Sequence, residues 1–326
     1  MTVRAVVFAY HNVGVRCLQV LHAAGVHIAL VVTHEDNPDE TCWFDSVAEL
    51  AIAHAWPIQK PTDANSLELL QAVQDASPDF IFSFYYRHIL SPEMLGLARQ
   101  GAFNMHGSLL PHYRGRAPVN WAILHGETQT GATLHEMVAR PDAGAIIGQT
   151  AVPILPDDTA IQVMQKVTFA AEITLWKAMP DLLSNQAVRL PNRIKEGSYF
   201  GRRTPEDGRI NWDAPAQTVY NLIRALAPPY PGAFEEIREH RFIIAAARLE
   251  RQEDRNKEQT DDVAPRSTAL GLQVQDGQFV GYCADGGVIL IHKLLYESQT
   301  ITPTRFMELV HANAPIEQGQ RSHHAK

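Results

Sequence analysis

Short apolar runs alternate with amphipathic helical stretches along the first half of the chain, and this alternation restricts the fold more than any other feature. The runs are rich in β-branched and aromatic residues and predict strands at residues 3–10, 27–33, 80–85 and 102–105. The stretches between them predict helices at residues 13–24, 46–55, 66–76 and 91–98. This order predicts an α/β fold with a mostly parallel sheet and helices on both faces. Ligands of such sheets bind at the carboxyl ends of the strands.

The second half of the chain has a different texture. A long amphipathic helix is predicted at residues 160–183, and Asp157 and Asp158 before it are interpreted as an N-cap with favourable charge rather than as an acid/base pair. From residue 204 onward, prolines separate short strand-like runs. We therefore predict domains at residues 1–203 and 204–313, the second small and β-rich, and a disordered tail at 314–326. The charged stretch 252–262 is predicted to be a mobile loop.

Composition argues against several classes of function. The chain of 326 residues has 28 Lys and Arg against 36 Asp and Glu, and its net charge of −8 argues against extensive nucleic-acid binding. Cys17, Cys42 and Cys283 fit no metal or disulfide spacing, which is typical of a reduced compartment. No apolar run approaches the roughly 20 residues that span a bilayer, and the N-terminus resembles a strand rather than a signal peptide. We expect a soluble, cytoplasmic protein without a metal.

Several familiar site motifs are missing from the sequence. No two glycines are separated by a single residue, so neither G-x-G-x-x-G nor G-x-S-x-G occurs, and there is no G-x-x-x-x-G-K phosphate loop. His135 and Glu136 begin like a zinc-protease motif, but Ala139 stands where the second histidine belongs. These absences weaken the nicotinamide, serine-hydrolase, P-loop and zinc-protease hypotheses.

The string GAFNMHGSLLPHYRGRAP, which begins at residue 101, carries the most chemistry. Asn104 and His106 lie two apart on a predicted strand, so their side chains point to the same face. An amide donor beside a titratable ring suits a tetrahedral intermediate. Gly107 permits a tight turn, and Arg114 and Arg116 bring positive charge nearby. Taken alone, an Asn-x-His pair is more often structural.

The segment from Asn104 to Pro111 resembles the N-x-H-x-S-L-L-P signature of the folate-dependent formyltransferases. The segment VARPDAG, from Val138 to Gly144, is similar to the aspartate loop of that family. The two motifs come in the family's order, and the resemblance covers most of residues 1–245. It implies a Rossmann-like catalytic domain followed by a smaller, OB-like barrel domain.

Four further strings are most similar to the sugar N-formyltransferases. FAYH, THEDNP, FSFYYRH and FGRRTP, which begin at residues 8, 33, 82 and 200, resemble the formyltransferase half of the bifunctional polymyxin-resistance enzyme. That half formylates UDP-4-amino-4-deoxy-L-arabinose, so the resemblance implies lipopolysaccharide biosynthesis through lipid A modification. The sequence lacks the second, decarboxylating half, and we expect a stand-alone formyltransferase.

The resemblance also implies roles for single residues. A formyl group would move from 10-formyltetrahydrofolate to an amine, with His106 as the proton shuttle, Asn104 holding the oxyanion and Asp142 orienting His106. Without the resemblance, Asp142 would be interpreted as a turn residue before Gly144.

Binding residues are carried over from the family by motif. The expected folate contacts are His88, Ile89, Leu90, Arg116, Val138, Ala139, Arg140 and Pro141. The first three would contact the pterin through their backbone. Tyr86, Arg87 and Arg203 are candidates for the base and diphosphate of a sugar nucleotide, since the planar fork of arginine suits a diphosphate. Arg202 and Arg203 fit a solvated surface pair equally well.

Three alternatives remain at the level of the sequence. Methionyl-tRNA formyltransferase would need a basic surface for the acceptor stem, whereas this chain is acidic. A non-catalytic folate- or nucleotide-binding protein would have lost Asn104, His106 or Asp142, and all three are present. A hydrolase that releases formate from the same donor normally carries an N-terminal regulatory domain, which is not expected before Val3. The nucleotide, the amino sugar and any homo-oligomer stay open.

Overall fold

The computed structural model describes residues 2–36, 42–250 and 269–311. The predicted loop at 252–262, the predicted tail at 314–326, and Asn37 and Pro38 of the THEDNP string lie outside the described residues. The chain divides into two compact units. One holds the described parts of Met1–Asp207 with Arg224–Tyr230, and the other holds those of Gly208–Ile223 with Pro231–Lys326. The predicted boundary between residues 203 and 204 stays a prediction.

A central sheet organises the first unit. Its strands, together with two short ones outside the sheet, are β1 Arg4–Ala9, β2 His27–Val32, β3 Ile58–Gln59, β4 Phe80–Phe84, β5 Gly101–His106, β6 Arg114–Gly115, β7 Gln129–Glu136, β8 Ile146–Pro153 and β9 Tyr199–Phe200. The sheet has seven strands in the order β3-β2-β1-β4-β5-β7-β8. The strands from β3 to β5 pair in parallel, whereas β7 pairs antiparallel with both β5 and β8. The predicted mostly parallel α/β fold is confirmed, but β3, β7 and β8 of this sheet have no counterpart among the predicted strands.

Serine caps set the starts of three helices. The helices of the first unit are α1 His11–Ala23, α2 Val47–Ala53, α3 Leu67–Ala76, α4 Pro92–Leu95, α5 Pro118–Leu124 and α6 Ala160–Leu183. Ser46, Ser66 and Ser91 each accept a backbone N–H from the first turn of α2, α3 and α4. The prediction therefore started each of these three helices one residue early, at its capping serine. In the described ranges no helix has the length and apolar character to cross a membrane.

The cap of α6 differs from the prediction. The helix has the predicted bounds, but the interpretation of Asp157 and Asp158 as its N-cap was wrong. Thr159 is the N-cap, and the side chain of Gln162 accepts its N–H at 2.8 Å in a capping box. Asp158 is buried and pairs with Lys166 instead. Thr159 is the N-cap because the helix begins at the next residue, Ala160, and the two aspartates lie before the cap.

Both faces of the central strands are buried. In β1, Val7 and Ala9 belong to a core that includes residues of α1 and α6. Val6 and Phe8, which alternate with them, belong to a second core that includes residues of α3. Burial on both faces accounts for the continuous apolar runs of the parallel strands.

The second unit is built mainly on an antiparallel sheet. Its elements are α7 Ala216–Leu226, of which the part from Arg224 onward belongs to the first unit, β10 Ala233–Ile237, β11 His240–Leu249, β12 Gly271–Gln275, β13 Gln278–Tyr282, β14 Val288–Tyr296, β15 Gln299–Thr300 and α8 Pro303–His311. The strand order is β10-β11-β14-β13-β12, with β15 paired to β14. The predicted small β-rich unit after the α/β unit is confirmed.

Candidate active site

Asn104 and His106 lie at the carboxyl end of β5, where it pairs with β7. The antiparallel register sets Asn104 opposite His135 and His106 opposite Thr133. Directly opposed residues of neighbouring strands lie side by side on one face of a sheet. The pairing brings Nδ2 of Asn104 to 3.1 Å from Nε2 of His135, and both histidines are buried.

Asp142 reaches the same place from the loop between β7 and β8. Its φ of 52° lies in the left-handed region, and the side-chain amide of Asn192 donates to the carbonyls of Asp142 and Gly144 at 3.0 and 3.1 Å. Oδ1 of Asp142 lies 3.5 Å from Nδ1 of His106 and 3.6 Å from Nε2 of His135. The structure thus brings together the three residues that the sequence analysis named as catalytic.

A tight loop after β5 contacts both His106 and Asp142 through its backbone. The carbonyl oxygen of Tyr113 lies 2.8 Å from Nε2 of His106, and the N–H of Gly115 donates to Oδ2 of Asp142 at 2.9 Å. A carbonyl only accepts, so Nε2 of His106 carries the hydrogen in this contact. Backbone groups therefore fix the relative positions of the ring and the carboxylate.

The segment around Phe200 packs against this loop. Strand β9 pairs with β6, and the ring of Phe200 stacks on that of Tyr113 with a centroid distance of 5.3 Å. Gly115 has a φ of 95°, and a Cβ there would lie 2.2 Å from the carbonyl oxygen of Phe200. Only glycine fits this position without a shift of the backbone.

Asp142 is held as a carboxylate. Burial raises the pKa of its carboxyl, but the neighbouring His106 ring and the N–H of Gly115 outweigh burial and hold that pKa well below its usual range. The cluster therefore combines an ionised carboxylate, a titratable ring and an amide donor. Such a set suits addition of a nucleophile to a carbonyl group, in which charge develops on oxygen and a proton changes place.

The first of the predicted folate segments is anchored from one side. The side chain of Asn65 donates to the carbonyl of Ile89 at 3.0 Å, so that backbone oxygen already has a partner. The side chain of Ile89 is 66% exposed, His88 is exposed and Leu90 is buried. A ligand bound along this segment would therefore contact mainly the other backbone N–H and carbonyl groups of residues 88–90.

The remaining predicted folate residues lie near this segment. Nη2 of Arg116 donates to the carbonyl of Arg87 at 3.4 Å. The stretch from Val138 to Pro141 is exposed, and Met137 just before it packs against the buried cluster that contains Leu90. A shared core thus places both segments on the same part of the unit.

Tyr86 and Arg87, two of the predicted acceptor contacts, differ in exposure. Tyr86 is buried with its ring stacked on His34 at a centroid distance of 4.1 Å, and burial raises the pKa of its hydroxyl to about 12. The guanidinium of the exposed Arg87 lies over the ring of Tyr10 at 4.8 Å. The backbone N–H of Arg87 donates to Nε2 of His34 at 3.0 Å, and burial lowers the pKa of that histidine to about 4.

Arg203, the third predicted acceptor contact, packs on another aromatic ring. Its guanidinium lies 4.8 Å from the centroid of Trp121 and donates to the carbonyl of Asp207 at 2.7 Å. Burial lowers the pKa of Arg203. These contacts join it to the Trp121 and Phe200 rings, which stack at 4.8 Å.

Four residues of the site were not predicted as site residues: His135, Tyr113, Gly115 and Asn192. The fragment His135-Glu136 is visible in the sequence, but there it resembles only an incomplete zinc-protease motif. Tyr113 and Gly115 act through backbone groups, which side-chain motifs do not reveal. Asn192 lies far along the chain from the loop it holds, and no sequence signal connects the two.

Comparison with protein families matches both parts of the chain. Residues 5–179 match the model described as "Formyl transferase", and residues 202–309 match the model described as "Formyl transferase, C-terminal domain".

Solved structures with the same fold carry related descriptions. An N-formyltransferase from Helicobacter canadensis, in complex with folinic acid and dTDP-3-aminofucose, is 20% identical with a TM-score of 0.66 over 90% of this chain and 99% of its own. A sugar N-formyltransferase from a Shewanella species is 19% identical with a TM-score of 0.59 over 73% of this chain and 93% of its own. HypX from Aquifex aeolicus with tetrahydrofolic acid is 16% identical with a TM-score of 0.63 over 96% of this chain but 48% of its own. At these identities the similarity shows the fold.

Proposed function

This chain belongs to the family of folate-dependent formyl transferases, and we propose that it moves a formyl group from 10-formyltetrahydrofolate to the amine of a nucleotide-linked 4-amino sugar. The observation that carries the proposal is the convergence of Asn104, His106 and Asp142 at one end of the sheet. Each of these three side chains meets one chemical requirement of the reaction.

Formyl transfer to an amine requires two proton movements. The attacking nitrogen loses a proton, and the departing folate nitrogen gains one. His106 serves both steps, with Asp142 beside Nδ1 holding the ring in place. To take the amine proton, Nε2 of His106 would leave the Tyr113 carbonyl and present a lone pair, with the ring hydrogen on Nδ1 beside Oδ1 of Asp142. The proton taken there would then pass to the departing folate nitrogen.

Addition of the amine turns the formyl oxygen into an oxyanion. The side-chain amide of Asn104 donates to this oxygen from a position beside His106. A donor of this kind commonly contributes about 3 kcal/mol to stabilisation of the transition state.

The described surface is suited to the folate donor. Ile89 and Val138 are apolar yet 66% and 45% exposed, and they lie on the two segments that we propose to hold the pterin. A flat aromatic ring buries apolar surface against such side chains. Arg116 beside the first segment adds a cation to the same area.

The acidic character of the chain favours a small acceptor over tRNA. A net charge of −8 opposes the phosphate contacts by which an acceptor stem is bound. The descriptions of two similar structures as sugar N-formyltransferases, one holding a dTDP-linked amino sugar, support the same choice. Arg87 and Arg203 are proposed as contacts to the diphosphate.

A formyl-transfer assay tests the proposal. Purified protein would receive 10-formyltetrahydrofolate with either UDP-4-amino-4-deoxy-L-arabinose or dTDP-4-amino-4,6-dideoxyglucose, and His106→Ala would serve as the matched control. We expect turnover of one acceptor and its loss in the variant. Turnover of the UDP sugar alone assigns the protein to lipid A modification, and turnover of the dTDP sugar alone assigns it to O-antigen-type sugar synthesis. Turnover of methionyl-tRNA and of neither sugar would contradict the proposal.

A further inference from the structure

His135 is a buried residue beside the proposed catalytic groups to which the reaction, as described, gives no role. It lies on β7 directly opposite Asn104 and is 1% exposed. Its Nδ1 lies 2.8 Å from the carbonyl oxygen of Glu136, and its Nε2 lies 3.1 Å from Nδ2 of Asn104. The nearest carboxylate oxygen, Oδ1 of Asp142, is farther from Nε2, at 3.6 Å.

These partners determine which ring nitrogen of His135 carries the hydrogen. The carbonyl of Glu136 can only accept, so Nδ1 is protonated. An amide nitrogen can only donate, so Nε2 offers its lone pair to Asn104. The neutral ring with its hydrogen on Nδ1 satisfies both contacts at once, whereas a second hydrogen on Nε2 would face the N–H of Asn104.

The same contact determines how the amide of Asn104 is turned. One of its two N–H groups donates to His135, which leaves the second N–H available for another acceptor. If the amide turned by half a revolution, its oxygen would face the bare Nε2, and two lone pairs would oppose each other. The neutral ring therefore admits a single orientation of the amide.

We propose that His135 is a positioning residue, which holds the amide of Asn104 with an N–H directed at the oxyanion. The inference rests on the proposed function, because the oxyanion belongs to that reaction. It adds to the catalytic groups a residue that acts only through Asn104. In this role His135 accepts one hydrogen bond, from the side-chain amide of Asn104.

Two substitutions test the two ring nitrogens of His135 separately. His135→Gln places an amide oxygen near the position of Nε2 and keeps an acceptor for Asn104, whereas His135→Asn reaches only the position of Nδ1. Since loss of an oxyanion donor costs about 10²–10³ in kcat, we expect His135→Asn to lower kcat by about 10–100-fold at a nearly unchanged KM. His135→Gln should keep kcat within about threefold of wild type, because the acceptor is restored. If both variants melt like wild type and are equally slow, the proposal is overturned.

A double-mutant cycle with Asn104→Ala gives the second readout. Because His135 acts through Asn104, His135→Asn should change kcat by less than about twofold once Asn104 has been removed. A purely structural histidine would lower kcat by the same factor in both backgrounds, and that result would contradict the proposal.

The tautomer can be measured without any turnover. ¹⁵N spectra of the wild-type imidazoles should show His135 with a protonated Nδ1 and a bare Nε2, with a coupling to the Asn104 amide across the hydrogen bond. A proton on Nε2 would overturn the inference. If wild type transfers formyl to no acceptor, the proposed function fails, and the spectra alone decide the inference about His135.

Discussion

At the scale of the residue, Asp142 combines a structural and a chemical role. Its left-handed backbone is held by two hydrogen bonds from Asn192, and its two carboxylate oxygens face His106, His135 and the N–H of Gly115. The family resemblance predicted that Asp142 orients His106. The sequence by itself indicated only a turn residue, because a contact between distant loops leaves no local pattern.

Replacement of Asp142 should alter how stability depends on pH. The pKa of the carboxyl is lowered in the folded protein, so its stabilising effect is full above the ordinary carboxyl range and is lost as pH falls below it. Asp142→Asn cannot titrate. We expect the difference in free energy of unfolding between wild type and variant to shrink as pH falls from about 6 to about 3, measured by urea denaturation. A difference that stays constant over that interval would contradict the lowered pKa.

At the scale of the element, β7 shows where prediction from sequence reaches its limit. Strands β1, β2, β4 and β5 were predictable because burial on both faces makes them nearly continuous apolar runs. Strand β7 is also buried along most of its length, but its sequence QTGATLHE mixes glycine, threonine and histidine among the apolar residues. Its polar side chains are satisfied by tertiary partners, as when Oγ1 of Thr133 donates to the carbonyl of Ser108 at 2.6 Å.

Gly131 in β7 provides a test of this packing. A Cβ at Gly131 would lie 2.2 Å from the carbonyl oxygen of Thr150 on β8, whereas a Cβ at Gly148 on β8 would lie 3.5 Å from its nearest neighbour. We expect Gly131→Ala to lower the free energy of unfolding by about 1–3 kcal/mol or more, because backbone cannot move aside cheaply. Gly148→Ala is the matched control, with an expected change under about 1 kcal/mol. Equal effects of the two variants in urea denaturation would show that β7 and β8 pair less closely than described.

At the scale of the whole molecule, the order of elements and two short motifs were enough to predict an α/β unit followed by a smaller β-rich unit. Alternating apolar runs specify a parallel sheet, and the motifs restrict the chemistry at its carboxyl edge. The supporting contacts were not predictable, since Tyr113 and Gly115 contribute backbone groups and Asn192 lies 50 residues along the chain from Asp142. The fold does not specify the acceptor, because structures with the same fold carry different descriptions, one an N-formyltransferase and another HypX.

The fate of the formyl carbon shows whether the protein transfers the formyl group to a sugar amine. The donor, 10-formyltetrahydrofolate labelled with ¹³C in the formyl group, would be incubated with wild type, Asn104→Ala, His106→Ala and Asp142→Asn and both nucleotide-linked amino sugars. Mass spectrometry and ¹³C spectra would then locate the label. We predict that wild type places it in an amide on the sugar nitrogen and that each variant slows this transfer by at least about 100-fold. Label released by wild type as free formate, or left on the folate with both sugars present, would contradict the account.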